Sequence, residues 1–148
     1  RHPLLDKLGP EPWDPGVDGE WFYRKARGRR RAVKDFIMDA GILVGVGNIY
    51  AQESLFRAGI HPARAAGRIS RKRYGLLADT IRAVLGEAIE VGGTTLRDFV
   101  NSDGKPGYFA QSLLVYGRAG LPCVECRRPL RETRMNQRST VYCTRCQR

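Results

Sequence analysis

The sequence predicts a mainly α-helical body followed by a small β-hairpin built around four cysteines. Three observations carry this. Apolar residues recur at three- and four-residue spacing over much of the stretch between positions 18 and 91. Glycine and proline punctuate that stretch into separate segments. All four cysteines fall in the last 26 residues, as Cys123-x-x-Cys126 and Cys143-x-x-Cys146.

The elements follow in order. Pro3, Pro10, Pro12 and Pro15 deny regular structure to the opening stretch, so residues 1–17 read as a linker. From Asp18 the pattern turns helical, with Trp21, Phe22 and Lys25 on a short segment that stops near Gly28. Arg29-Arg30-Arg31 opens a second helix carrying Val33, Phe36 and Ile37, and Asp39-Ala40-Gly41 ends it. The turn Val44-Gly45-Val46-Gly47-Asn48 precedes a third helix through Phe56, with Asn48 expected at the N-cap. Such a turn also leaves backbone N–H groups at the positive end of a helix, where a phosphate can sit, although a plain connection has the same wording. It is no dinucleotide fingerprint, because the third glycine is missing.

Ile60-His61-Pro62 breaks the chain, and His61 reads as a loop residue rather than a catalyst. Ser70 caps the longest helix, 71–91, whose Tyr74, Leu77, Ile81, Leu85 and Ile89 form a core-facing stripe. Gly92-Gly93 is expected to stop it. Residues 94–112 form a long polar loop, a length uncommon without a function. Leu114-Val115-Tyr116 is a short strand candidate. The hairpin follows, with strands over 129–134 and 139–143 joined by Met135-Asn136-Gln137-Arg138. Arg138 at that tip is either a solvated surface charge or a positioned phosphate ligand. The helical domain spans 18–116 and the cysteine unit 117–148.

Two CxxC knuckles offer four thiolates to one metal, the donor set of a structural zinc site with no open coordination position. Disulfides fit poorly, since the rest of the chain is free of cysteine. The expected cofactor is therefore one Zn²⁺, contributing on the order of 10 kcal/mol to folding a hairpin too small for its own core.

Charge points to the partner. The 148 residues hold 26 Lys and Arg against 15 Asp and Glu, a formal +11, with a pI near 10.1. That surplus suits nucleic acid first and acidic membrane surfaces second. Arginine outnumbers lysine about four to one, which suits bidentate phosphate contacts but also follows from codon bias. No apolar run reaches spanning length and no signal-peptide pattern opens the chain, so the expected setting is the cytoplasm beside the nucleoid, with no membrane partner. The chain opens on Arg1, not Met, and is expected to be a fragment or a processed product.

Four motifs in this order carry a resemblance: Val44-Gly45-Val46-Gly47-Asn48-Ile49-Tyr50-Ala51; Phe56-Arg57-Ala58-Gly59-Ile60-His61-Pro62; Ser102-Asp103-Gly104-Lys105-Pro106-Gly107-Tyr108-Phe109; and the four-cysteine hairpin with Gln137-Arg138-Ser139-Thr140. Together they resemble formamidopyrimidine-DNA glycosylase of bacterial base-excision repair, in its C-terminal half only. The endonuclease VIII branch shares both modules, but the GVGNIYA and SDGKPGYF wording is closer to the formamidopyrimidine branch.

The resemblance implies a mainly α fold, in which a helix–two-turn–helix DNA-binding domain is followed by a four-cysteine zinc-finger hairpin. It implies a monomer acting on double-stranded DNA with a damaged or abasic nucleotide. The family excises oxidised purines such as 8-oxoguanine and formamidopyrimidine, then nicks the abasic strand as a lyase. Its N-terminal proline nucleophile, the glutamate after it and a lysine of the first domain have no counterpart here, so this chain alone is expected to be inactive. By the same resemblance Asn48 and Arg138 grip phosphates beside the extruded nucleotide, and Arg138 is the proton donor for δ-elimination. Arg29 matches a further DNA contact, and Lys34 and Tyr108 are second-rank contacts. The 94–112 loop resembles the segment that folds over the flipped base.

Two rival readings stand beside this one. The chain could be a non-catalytic zinc-braced module for nucleic acid, RNA included, in which case it would favour A-form RNA over damaged duplex. Alternatively zinc and charge could serve a protein partner, and binding would then lack the salt dependence of phosphate contacts.

Overall fold

The computed structural model describes residues 8–95 and 113–148 of the chain. The first helix, α1 (Gly19–Ala26), starts where Asp18 caps it: the carboxylate accepts the Trp21 N–H at 2.9 Å. Phe22 lies flat on Tyr74 of the long helix α4 (Arg71–Thr95), with ring centroids 5.7 Å apart. The two helices cross closely enough that a Cβ on Gly19 would sit 2.6 Å from Gly75 Cα, so glycine is required there.

The second helix does not open at Arg29 as the arginine run suggested. It is α2 (Val33–Met38), and residues 29–32 precede it because their backbone groups bond elsewhere. Ala66 N–H donates to Arg31 O at 2.9 Å, Val33 N–H donates to Arg64 O at 2.7 Å, and Ala32 bridges Ala65. The other side of that exchange tightens into a 3-10 turn, Ala66–Arg68.

Turns over 39–47 join α2 to α3 (Asn48–Ala58), completing a helix–two-turn–helix unit. Asn48 is not the N-cap. Gly47 holds that position with extended backbone, and Asn48 is the first helical residue. At the other end Gly59 takes φ +72°, the left-handed cap that returns its N–H to the Leu55 and Phe56 carbonyls.

Ser70 caps α4 as expected, accepting the Arg73 N–H at 3.2 Å. Tyr74, Leu77, Ile81 and Leu85 are buried, but Ile89 is 62 % exposed. Leu85 is the last buried position of α4 among the residues whose side chains are described. Nor do Gly92 and Gly93 stop it, since α4 continues to Thr95. A glycine costs a helix about 1 kcal/mol without forbidding it.

Residues 8–17 carry no helix or strand, yet they are docked rather than loose. The Arg82 guanidinium donates to the carbonyls of Pro12, Asp14 and Val17 at 2.8, 3.0 and 2.5 Å. Val17 enters the main core, which also holds Phe22, Phe36, Leu43, Leu55, Ile60, Tyr74 and Ile81.

The hairpin consists of β1 (Arg131–Met135) and β2 (Arg138–Tyr142), antiparallel, with Met135 opposite Arg138 and Thr133 opposite Thr140. Asn136 and Gln137 both have positive φ, 50° and 66°, which gives the two-residue turn whose twist suits a hairpin. A second small core under it joins Leu130 and Val141 to Val115, Cys123, Cys143 and Phe56. Phe56 belongs to α3, so the helical body supplies part of the hairpin's floor. Leu114-Val115-Tyr116 is no strand; its backbone N–H groups bond a side chain instead of a neighbouring strand. No helix of the described residues is long and apolar enough to cross a membrane.

Candidate metal centre and nucleic-acid interface

The four cysteine sulfurs all lie within 4.8 Å of one another. Cys123 and Cys146 are 3.8 Å apart and Cys126 and Cys143 3.5 Å, far beyond disulfide length. A tetrahedral zinc with bonds of about 2.3 Å places its sulfurs roughly 3.8 Å apart, so the cluster fits the ion. Backbone geometry prepares it. Cys123 N–H donates to Arg128 O at 2.7 Å, Arg127 N–H returns to Cys123 O at 2.8 Å, and Cys146 N–H points at Cys143 Sγ at 3.4 Å. Gln147 accepts the Cys143 N–H and donates to Ile60 O, at 2.8 and 3.0 Å, tying the second knuckle to the turn after α3.

Three buried polar side chains fasten this unit to the helices. Glu53, 1 % exposed on α3, accepts the N–H groups of Leu114, Val115 and Tyr116 at 2.7, 2.9 and 2.8 Å. Gln52, equally buried, accepts the Val141 N–H at 2.7 Å and donates to Ser139 O at 2.9 Å. Lys34 of α2 donates to Thr140 Oγ1 at 2.6 Å. Burial pushes its amine down to about 8, the nearby Arg138 charge adding to this against the opposing pull of Asp35.

These contacts bring Asn48 to the backbone beside Arg138. Asn48 Nδ2 reaches Ser139 O, the residue after Arg138, at 3.4 Å, while its Oδ1 is buried with no hydrogen-bond partner. The α3 start has no side-chain cap, and a Cβ at Gly47 would meet nothing within 4 Å. An uncapped helix start of this kind suits an incoming anion. Arg138 is exposed and forms no ion pair among the described residues. It lines a hollow of about 260 Å³ with Arg31, Lys34, Asp35, Met38, Asp39 and Asn136.

The other sequence candidates are placed differently. Arg29 is exposed, its Nε donating to Lys25 O at 2.7 Å, and it lines a separate groove of about 250 Å³ with Arg30 and Arg68. Lys34 is buried, so its charge acts from beneath the surface rather than on it. Tyr108 and positions 96–112 of the long loop lie outside the described residues. His61 sits in a loop: its Nδ1 accepts the Ala63 N–H at 3.0 Å and its ring packs 4.6 Å from Tyr142. Sequence reasoning passed over Gln52 and Glu53. Their signal was present as a polar run, Gln52-Glu53-Ser54, set between the apolar Ala51 and Leu55.

Comparison with known proteins bears on both modules. Residues 8–100 match the family described as "Formamidopyrimidine-DNA glycosylase H2TH domain", and residues 120–148 match "Zinc finger found in FPG and IleRS". The chain is 66 % identical over 148 residues to a formamidopyrimidine-DNA glycosylase of Marinobacter nauticus, covering all of this chain and 55 % of that protein. It is 63 % identical over 147 residues to its counterpart in Alcanivorax borkumensis, again over 55 % of that protein. The chain thus spans about half the length of the curated relatives it matches.

Among solved structures, MutM (Fpg) of Thermus thermophilus superposes with a TM-score of 0.83 at 41 % identity, over 98 % of this chain and 55 % of that one. Lactococcus lactis Fpg in complex with DNA containing an abasic site superposes at 0.82 and 31 % identity, over 97 % and 53 %. Family match and sulfur geometry agree, and the four cysteines hold one structural zinc.

Proposed function

The chain belongs to the formamidopyrimidine-DNA glycosylase family, and from that premise we propose that it is the part of such an enzyme that grips the damaged strand. The whole protein would excise oxidised purines, 8-oxoguanine and formamidopyrimidine among them, and nick the abasic site. The observation that carries the reading is the meeting of two anion-binding features. The uncapped start of α3 with Asn48 lies against the zinc-braced hairpin that begins β2 with Arg138. A helix N-terminus and a guanidinium each suit a backbone phosphate, and here they belong to segments joined through Ser139.

Asn48 and Arg138 hold the phosphates beside the extruded nucleotide, which helps to offset the few kcal/mol that base extrusion costs. In the whole enzyme Arg138 would also donate the proton for δ-elimination. Arg29 and its groove lie at a second basic site, where a more distant phosphate can dock. Lys34 adds positive potential from below the hollow, and Tyr108 remains a contact assigned by family resemblance.

The test is affinity for a duplex carrying an abasic-site analogue against the same duplex intact, at near-physiological salt with zinc retained. A preference of about tenfold, or 1.4 kcal/mol, assigns lesion recognition to this chain. Equal affinities would leave it phosphate grip alone, and stronger binding to A-form RNA would overturn the repair reading. Arg138→Ala is expected to weaken binding more than Arg131→Ala on the opposite strand. Equal losses would remove Arg138 from the site.

A further inference from the structure

We infer that Gln52 is a positioning residue for the phosphate grip: its carboxamide fixes β2 against α3 and frees the Asn48 amide for the strand. The inference rests on the reading of Asn48 and Arg138 as phosphate ligands. Nothing in the family match assigns this residue.

A two-stranded sheet leaves one edge of each strand unpaired, and an open edge must be satisfied by something. On β2 that edge presents Ser139 O and Val141 N–H. One residue of a neighbouring strand would satisfy both, with its own N–H and C=O. Gln52 does so with a side chain, Nε2 donating to Ser139 O at 2.9 Å and Oε1 accepting from Val141 N–H at 2.7 Å. Its Nε2 also lies 3.3 Å from Asn48 O, one helical turn back, so the same group is registered on the α3 start.

Two consequences follow for the site. First, Gln52 sets the spacing of the two proposed ligands. It sits one turn after Asn48 and grips the residue next to Arg138, so α3 and β2 cannot slide past one another without breaking both bonds. Zinc alone holds the far end of the hairpin and does not fix this register. Second, Ser139 O has two donors, Gln52 Nε2 at 2.9 Å and Asn48 Nδ2 at 3.4 Å. When Asn48 turns towards a phosphate, the carbonyl keeps its better partner. Without Gln52, Asn48 would be the remaining side-chain donor, and leaving would strand a partly buried carbonyl.

The experiment is a double-mutant cycle on the zinc-loaded chain, read as affinity for an abasic-analogue duplex. Gln52→Met keeps length and helix preference while removing both hydrogen bonds to β2 and the one to the Asn48 carbonyl. It is expected to weaken binding about tenfold, and to have no further effect in an Arg138→Ala, Asn48→Ala background. In an Arg29→Ala background its effect should persist in full. Equal effects in every background would mean that Gln52 acts on the fold as a whole, and would overturn the inference. If Arg138→Ala and Asn48→Ala themselves cost nothing, the phosphate-grip reading falls and this inference with it, a result distinct from the first. Wild-type protein supplies a test that does not depend on the variant folding. On adding duplex, the side-chain amide protons of Gln52 should stay protected from solvent exchange while the Asn48 amide changes its partner. Loss of that protection at Gln52 overturns the assignment.

Discussion

Lys34 and Thr140, 106 positions apart in sequence, share a buried hydrogen bond of 2.6 Å that joins α2 to β2. An ammonium with its surroundings so dry is held at a cost, and burial lowers its proton affinity to about 8 from an ordinary 10.5. Asp35 opposes that shift and Arg138 adds to it.

A pH dependence follows with a definite sign. Between about 8 and 10.5 the unfolded chain keeps the Lys34 proton that the folded chain has released. Stability from this group therefore rises with pH across that window, and the burial cost is felt in full below it. Lys34→Met should flatten the rise. Thermal unfolding from pH 8 to 10.5, with zinc held constant, checks this; parallel curves for both proteins would clear Lys34 of the effect.

Glu53 concentrates three backbone hydrogen bonds on one buried carboxylate. Glu53→Gln replaces one acceptor oxygen with a donor that faces other donors. The expected loss is on the order of 3 kcal/mol, the scale of a broken charge-assisted buried contact. Urea unfolding with zinc present measures it, and a change within about 0.5 kcal/mol, typical of a surface substitution, would contradict the buried clamp.

Gly47 offers a case where stability and affinity should part. Its backbone is extended and its Cβ position is empty, so Gly47→Asp fits and caps α3. Stability should stay level or rise by a few tenths of a kcal/mol. The new carboxylate takes the N–H groups a phosphate would use and repels it, so duplex affinity should fall at least tenfold. Retained affinity would exclude the α3 start from the interface.

Removing zinc with a chelator should unravel the hairpin while leaving the helices. The main core is built from the helices and the turns between them, whereas the cysteines, Leu130 and Val141 belong to the smaller one. Most of the helical circular dichroism should survive while duplex affinity collapses with Arg138's position. Loss of the whole helical signal would show instead that the two cores melt as one.

Local signals made much of the architecture legible. Cys-x-x-Cys spacing announced the metal unit because two residues between thiols suit a knuckle around one ion. Asp18 and Ser70 marked helix starts because a cap acts on N–H groups only three residues away. Where such signals misled, a distant partner had prevailed over them. Arg29 to Ala32 look helical, yet their backbone groups pair with residues 64–67, and Leu114 to Tyr116 look like a strand until Glu53 takes their N–H groups.

The sequence by itself determined the four-helix pattern of the described body, the zinc hairpin, the basic surface and the positions of Asn48 and Arg138 along it. Periodicity, caps and ligand spacing are short-range properties, written within a few residues. Only tertiary structure decided how the segments that carry those two residues are joined. Lys34, Gln52 and Glu53 find their partners 61 to 106 positions away. Buried polar contacts of that reach leave no period in the chain, because each depends on where the fold brings a single complementary group.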